Sequence, residues 1–207
     1  MKRDKETKAK LLQSAKAEFI EKGYMNASLR NICKNAGVTT GALYFFFEDK
    51  ADLFRAITKD TVDGIYQMMQ KHYLDEVQMG DSGMSMAEIL TEHNRDFDES
   101  AMVIHQMYLH RDEVLLILTK SQGSGFENIA DKFIEASEEH LTVMAKQMQL
   151  MYPGKTVDKN FIHWLAHMQI DAFIYMITHI EKEEEALTFI RQMVEHMTAG
   201  WYGLFAN

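Results

Sequence analysis

The stretch 38–50 of this 207-residue chain carries side chains suited to contact nucleic acid. It combines two hydroxyls for phosphates or base edges, a glycine that lets the backbone come close, and two aromatic rings for sugars or thymine methyl groups. These outward positions are Thr39, Thr40, Gly41, Tyr44 and Phe45. Lys50 follows in the first turn of a new helix capped by Asp49, so its ammonium and the N–H groups of that turn are predicted to hold one phosphate. The stretch therefore predicts an element that reads DNA.

The short helix that carries these residues needs a neighbour to hold it. It is predicted to begin after Gly37, with Thr39 as its cap, and to run for about seven residues, which is too few for stability in isolation. A preceding helix is predicted after Ser28, because four residues at i, i+3, i+4 and i+7 form one apolar stripe: Leu29, Ile32, Cys33 and Ala36. Leu43 and either Phe46 or Phe47 face this stripe. The pattern indicates a helix-turn-helix, and Ser28 and Arg30 join the predicted DNA contacts.

The run from Ser28 to Phe54 resembles the DNA-binding domain of the TetR family of bacterial transcription regulators. This chain matches nearly in full the family pattern small-Gly-Val-(Ser/Thr)-x-Gly-x-Leu-Tyr-x-x-Phe-x-x-Lys-x-x-Leu, in which x is any residue. Where the family commonly has His, this chain has Phe45, which cannot hydrogen-bond a phosphate and so favours contact with thymine methyl groups. The resemblance implies an all-α protein, with a three-helix helix-turn-helix DNA-binding domain at 1–48 and a helical ligand-binding and dimerisation domain at 49–207.

Composition and charge agree with this division. One proline, eleven glycines and sixteen methionines favour an all-helical protein. Residues 1–60 carry 12 basic and 8 acidic side chains, a net charge of +4, whereas the other 147 residues carry 10 and 23, a net charge of −13. A basic head suits phosphates while an acidic remainder stays off the duplex. No signal peptide or long apolar run is seen, so a soluble, cytoplasmic protein without a membrane partner is expected.

The rest of the chain is predicted as helices, with a break at Gly80–Gly83 and a helix start at Ser85. Residues 158–181 are apolar nearly all round and 183–205 carry an apolar stripe, so these two helices are predicted to form a two-fold homodimer. The predicted interface residues are Trp164, Phe173, Ile190, Met197 and Trp201. The family resemblance implies an effector pocket among the middle helices. The candidates, all of which also suit a plain core, are Met102, His105, Tyr108, Phe133, Met144, Met168 and Tyr175.

Other residue patterns do not make a convincing catalytic set. His163 and His167 lie at i and i+4, but no Glu follows His163 and no cysteine is near, so a core or interface role is favoured over a metal. Gly123-Ser-Gly125 has no strand before it, which favours a linker over a phosphate loop. The single cysteine, Cys33, falls on the buried stripe and is interpreted as structural. No enzyme activity, cofactor or metal is predicted.

The sequence thus predicts a repressor that leaves a palindromic operator in double-stranded DNA when a small apolar or amphipathic effector binds. Two alternatives stay open: a regulator controlled by a protein partner, and a helical carrier or enzyme with a non-functional helix-turn-helix. Salt-dependent binding to a palindromic duplex would separate the first prediction from a carrier or enzyme. A co-purified small molecule would separate it from a regulator controlled by a protein.

Overall fold

The computed structural model describes residues 2–80 and 93–205, which form nine helices and no strand. The helices are α1 (Lys2–Asn26), α2 (Leu29–Ala36), α3 (Thr40–Phe46), α4 (Lys50–Gly80), α5 (His93–Leu109), α6 (Arg111–Lys120), α7 (Ile129–Met151), α8 (Lys159–His179) and α9 (Glu183–Gly203). The predicted all-α class is confirmed. The break predicted at 81–83 and the helix start predicted at Ser85 lie outside the described residues. Within those residues, no helix is both long and apolar enough to cross a membrane.

Contacts along the chain define two compact units. The first, called the head below, runs up to Gly64 and includes His110–Ile129. The second, called the body, contains Ile65–Leu109 and continues from Ala130. Helix α4 therefore contributes residues to both units, and α6 belongs to the head, which the sequence pattern did not indicate. The functional division at residue 48 stays a prediction.

Helices α1, α2 and α3 pack around a small apolar core in the head. The fully buried side chains include Leu11, Phe19, Ile32 and Leu43, one or more from each helix. Phe54, from the start of α4, meets the ring of Phe19 nearly edge-on, with ring centroids 5.1 Å apart. Such aromatic pairs add to the stabilisation that burial of their surface gives. The core therefore fixes the first turns of α4 on α1.

Glycines and side-chain caps set the ends of the short helices. Gly23 has φ 71° and ψ 164°, which ends the regular part of α1. Gly37 has φ 67° and ψ 33°, the left-handed conformation that glycine adopts most easily, and it turns the chain from α2 into α3. The Ser28 hydroxyl accepts a hydrogen bond from the Asn31 N–H at 3.4 Å and so caps α2. The predicted turn and this cap are confirmed.

Helix α6 is held on α1 by polar contacts within the head. The Lys16 ammonium lies 3.1 Å from an Asp112 carboxylate oxygen and 3.0 Å from one of Glu113. At the other end of α6, the Lys120 ammonium donates to the carbonyl of Ile20. Lys16 and Lys120 therefore join α1 to α6 near the two ends of α6, which fixes the angle between the two helices.

The body has its own core, to which α4, α7 and α8 contribute. Met69, Tyr73, Ile134, Ala166 and Ile170 form a buried cluster. Burial raises the pKa of Tyr73 to about 12, because the phenolate form is costly away from water. This core gives the body a stabilising centre separate from that of the head.

A buried histidine lies beside this cluster. The His140 ring stacks on the Tyr73 ring, with centroids 4.1 Å apart and planes 5° apart. Its Nε2 atom lies 2.7 Å from a Glu76 carboxylate oxygen, so Nε2 carries the proton and donates. Its buried Nδ1 atom has no hydrogen-bond partner among the described residues. A buried ring nitrogen without a hydrogen bond lowers the stability of the fold unless a further polar group bonds to it.

Candidate nucleic-acid interface

Helix α3 is closed at both ends and anchored on its inner side. The Thr39 hydroxyl accepts a hydrogen bond from the Ala42 N–H at 3.2 Å, which confirms the predicted cap. The helix ends at Phe47, whose φ of −137° and ψ of 133° are extended. Leu43 is fully buried and Phe47 is 3% exposed, so both face the core as predicted. The seven residues of α3 are therefore held by the head and not by their own helix propensity.

The outer side of α3 presents two parallel rows of side chains. Thr40 and Tyr44 are four residues apart, as are Gly41 and Phe45, so each pair lies one helical turn apart on the same face. All four residues are exposed. Tyr44 is 55% exposed and Phe45 76% exposed. The structure therefore brings these predicted DNA contacts together on one surface, beside the exposed cap residue Thr39.

Helix α2 is positioned by a residue that the sequence analysis did not single out. Glu18 of α1 is buried, and its carboxylate accepts hydrogen bonds from the Ser28 N–H at 3.1 Å and the Asn31 side-chain amide at 3.4 Å. A carboxylate at a helix N-terminus satisfies free N–H groups and complements the helix dipole. The sequence did carry a signal for this role: Glu18 lies three residues after Ala15 and so interrupts the apolar stripe of α1 with an acidic side chain.

Two predicted DNA contacts lie at the start of α2. Arg30 is exposed, and its contact with DNA stays a prediction. Ser28 is half-buried, and its hydroxyl oxygen and N–H are both used within the head. Ser28 is therefore occupied in shaping the helix-turn-helix, and a direct contact of its side chain with DNA stays a prediction.

Lys50 has partners other than the predicted phosphate. Its ammonium donates to the carbonyls of Tyr24 at 2.8 Å, Met25 at 3.1 Å and Ala27 at 3.3 Å. It also lies 4.6 Å from the centroid of the Tyr24 ring. An ammonium has three N–H donors, and three carbonyls take them all. In this structure Lys50 therefore ties the start of α4 to the end of α1 and to Ala27, which follows it.

The residues predicted for an effector pocket do not form one group. Tyr108, Phe133, Met144 and Met168 are half-buried. The Tyr108 hydroxyl donates to the Ile180 carbonyl at 2.8 Å, and the Phe133 ring packs against Tyr66. The other three lie on the surface: Met102 and Tyr175 are exposed, and the exposed His105 lies 2.9 Å from a Glu183 carboxylate oxygen. An exposed position cannot line an enclosed cavity, so only the half-buried residues fit that role in the body.

The predicted dimer residues also divide into inner and outer positions. Ile190 is fully buried inside the body, so its assignment to a dimer interface is wrong for this conformation. Phe173 shares the three- and four-residue spacing of the buried Ile170 and Ile177, which puts it towards the inner side of α8. Trp164 is 52% exposed, whereas Met197 and Trp201 are half-buried. Trp164 is thus the predicted interface residue that is most available.

Other candidate chemistry is absent from the described residues or has a structural explanation. His163 lies 2.7 Å from a Glu138 carboxylate oxygen, and its ring meets that of His167. No group of three or more metal-binding side chains occurs within residues 2–80 and 93–205. Burial raises the pKa of the Cys33 thiol, which disfavours the reactive thiolate and supports a structural role.

The exposed face of α3, supported by α2 and the Gly37 turn, defines a helix-turn-helix protein. Residues 11–57 match the family model for bacterial regulatory proteins of the tetR family. The resemblance to the TetR family that the sequence predicted is therefore confirmed over these residues.

Named relatives agree with this assignment. The chain is similar to the HTH-type transcriptional repressor BepR of Brucella suis, with 46% identity over 52 residues, 25% of each chain. It therefore matches only about a quarter of the length of that curated relative. It is 27% identical to the Transposon Tn10 TetC protein of Escherichia coli over 170 residues, 81% of each chain.

Comparison with solved structures extends the likeness in fold. A transcriptional regulator of the TerR/AcrR family from Aquifex aeolicus superposes with a TM-score of 0.54 at 21% identity, over 93% of this chain and 98% of that one. The likeness at this identity concerns the fold, an N-terminal helix-turn-helix followed by a helical region.

Proposed function

We propose that the protein is a homodimeric transcriptional repressor that binds a palindromic operator in the cytoplasm. The observation that carries the proposal is the outer face of α3, where Thr40, Tyr44 and Phe45 are exposed on a helix that the head core holds rigidly. A helix of this kind fits the major groove, where hydroxyl and aromatic groups can reach base edges. Arg30 and the basic start of α1 supply charge for the phosphates.

Selection of duplexes from random DNA tests the DNA-binding part. The protein should enrich a palindrome with half-sites about 34 to 36 Å apart, or a multiple of that distance. The affinity for this palindrome should fall steeply as salt rises, because phosphate contacts release counterions. If no sequence is enriched, or if the affinity for DNA does not change with salt concentration, the carrier or enzyme alternative is supported instead.

The homodimer is supported by an apolar stripe on α8. Phe161, Trp164, Met168 and Tyr175 follow one another at spacings of three, four and seven residues, which places them on one side of the helix. Phe161, Trp164 and Tyr175 are all exposed large apolar side chains. Covering such a stripe against a second copy would remove it from water. We therefore assign Met168 and Tyr175 to the interface instead of the effector pocket.

Size measurement in solution tests this interface. Trp164→Glu places a charge in the stripe and should give a monomer that binds the palindrome weakly, since each copy alone holds one half-site. Leu150→Glu changes another exposed apolar residue, on α7, and should leave the dimer intact. A wild-type protein that is monomeric at micromolar concentration would overturn the proposal.

The proposed effector is a small apolar or amphipathic molecule bound in the body. The half-buried Phe133 and Met144 would contact its apolar part. The Nδ1 atom of His140, which lacks a partner among the described residues, would accept a hydrogen bond from its polar group. Helix α4 contributes to both units. An effector that binds in the body and prefers one arrangement of α4 can therefore change the affinity of the head for the operator. A coupling of about 1 to 3 kcal/mol gives a five- to 150-fold loss of operator affinity.

A thermal-shift screen identifies such a molecule, because a ligand that binds the folded state raises the melting temperature. Hydrophobic cations, phenols and fatty acyl compounds form the library, and each hit is then added to the operator complex. A hit should release the operator. His140→Phe keeps a ring against Tyr73 but removes Nδ1, together with the Nε2 hydrogen bond to Glu76, so it should weaken binding of that hit. Hits that bind without changing operator affinity would favour control by a protein partner.

A further inference from the structure

Three consecutive phenylalanines lead from the head core to the surface of α3. Phe47 is 3% exposed, Phe46 is half-buried, and Phe45 is 76% exposed. The rings of Phe45 and Phe46 meet edge-on, with centroids 4.9 Å apart and planes at 87°, and those of Phe46 and Phe47 are 6.4 Å apart. The exposed ring is therefore supported from below by a chain of aromatic contacts that ends in the core. An apolar ring held rigidly in water is suited to a defined apolar partner.

The space beside Phe45 is also open. Gly41 lies one helical turn before Phe45 on the same face, and no atom of the Phe45 ring lies within 4 Å of the place that a Cβ atom of residue 41 would take. A Cβ atom built at Gly41 would meet only the Thr39 hydroxyl oxygen, at 3.9 Å, which is an ordinary contact. Nothing within the head therefore requires glycine at this position. Its effect is to leave room on the outer face for a group that approaches the ring.

The chemistry of the major groove limits what that group can be. Base edges in this groove offer hydrogen-bond donors and acceptors, with one apolar projection, the C5-methyl group of thymine. Covering a donor or acceptor with a phenyl ring would leave it without a partner, which is unfavourable. Covering a methyl group removes apolar surface from water. The same methyl group stands at the same C5 position in 5-methylcytosine.

We propose that Phe45 reads the C5-methyl group of a pyrimidine, so that operator affinity depends on this methyl whether thymine or 5-methylcytosine carries it. The inference rests on the proposed DNA-binding function. It makes the protein a reader of cytosine methylation at one base pair of each half-site. Unmethylated cytosine there would be bound less well than its methylated form.

Removing or adding single methyl groups in the selected palindrome tests this inference. Each thymine is replaced in turn by uracil, which removes only the methyl group. At the sensitive position, a cytosine and a 5-methylcytosine are then compared, each paired with guanine. Loss of the methyl group should weaken binding about four-fold per half-site, which corresponds to about 0.8 kcal/mol for one buried methylene-sized group. Methylation of the cytosine should recover a similar factor.

Variants of the protein assign the effect to one side chain. Phe45→Ala should bind thymine and uracil duplexes equally, because the ring that contacts the methyl is gone, while circular dichroism shows the head still folded. Leu150→Ala, a change at an exposed apolar residue of α7, should keep the full methyl dependence. Wild-type protein that binds all uracil duplexes as tightly as the thymine parent would overturn the inference alone. A protein that selects no duplex would overturn the proposed function as well.

Discussion

The Lys50 ammonium lies 2.8 Å from the carbonyl oxygen of Tyr24 and above the ring of the same residue. Two further carbonyls complete its hydrogen bonds. The carbonyls of Tyr24 and Met25 lie in the last turn of α1, where a helix leaves its carbonyls without partners in the helix. Lys50 therefore acts as a capping group supplied by α4, and it links the residue that begins α4 to the end of α1.

We expect Lys50→Met to lower the free energy of unfolding by about 1.5 to 3 kcal/mol, the range for hydrogen bonds to a charged group. The slope of operator affinity against salt should stay unchanged, because no phosphate contact is lost. Arg30→Ala is the matched comparison: it should leave stability unchanged and lower the salt slope by about one. If Lys50→Met lowers the salt slope by one and leaves unfolding unchanged, Lys50 binds a phosphate as the sequence suggested.

Glu18 should matter more for stability than its exposed neighbour Glu21. Glu18→Ala leaves the Ser28 N–H and the Asn31 amide without their acceptor, so a loss of about 1 to 3 kcal/mol in the free energy of unfolding is expected. Glu21→Ala removes an exposed carboxylate that pairs with Lys22 on the surface and should change little. Chemical denaturation measures both. Equal effects of the two changes would show that the buried carboxylate does not position α2.

Gly41→Ala should stabilise the head and impair its function. Alanine in a helix is favoured over glycine by roughly 0.5 to 1 kcal/mol, and the structure offers room for the methyl group. The same methyl group would fill the space beside Phe45 and should lower operator affinity several-fold. Gly64→Ala in α4, where a Cβ atom meets nothing, should stabilise similarly without affecting the operator. A Gly41→Ala protein with full affinity would contradict a close approach of DNA to α3.

Tyr73 should make the folded protein sensitive to alkali. Its pKa is raised by burial to about 12, above the usual value near 10, so the unfolded chain loses the proton first. Stability from this group is complete below about pH 10 and falls by about 1.4 kcal/mol per pH unit as pH rises towards 12. Tyr73→Phe removes this dependence while keeping the ring. Unfolding curves that fall in parallel for both proteins between pH 9 and 11 would contradict the assignment.

The helix-turn-helix could be predicted from sequence because its signals are local. Ser28, Gly37 and Thr39 each act within four residues of their own position, and the apolar stripe of α2 is read from spacing alone. The exposed pair Tyr44 and Phe45 follows from the same periodicity. Elements fixed by neighbours along the chain are therefore accessible without a structure.

Contacts between residues that are far apart in the sequence could not be predicted in this way. Lys50 meets carbonyls more than twenty residues earlier, and nothing in its own neighbourhood distinguishes that role from a phosphate contact. The same limit explains Ile190: an apolar residue on a terminal helix suits an interface and a core equally, and the structure buries it completely. For α8, which is apolar on most sides, spacing could not tell the inner face from the stripe that carries Trp164.

The most direct test of the central claim, that α3 reads DNA, is the affinity of a Thr40→Ala/Tyr44→Ala double variant for the selected palindrome, measured by fluorescence anisotropy beside a scrambled duplex. Both side chains are exposed, so the variant should fold as the parent does. Two lost contacts of about 1 to 3 kcal/mol each should weaken specific binding by tenfold or more and leave binding to the scrambled duplex unchanged. A folded double variant that binds the palindrome as tightly as the parent would contradict the claim.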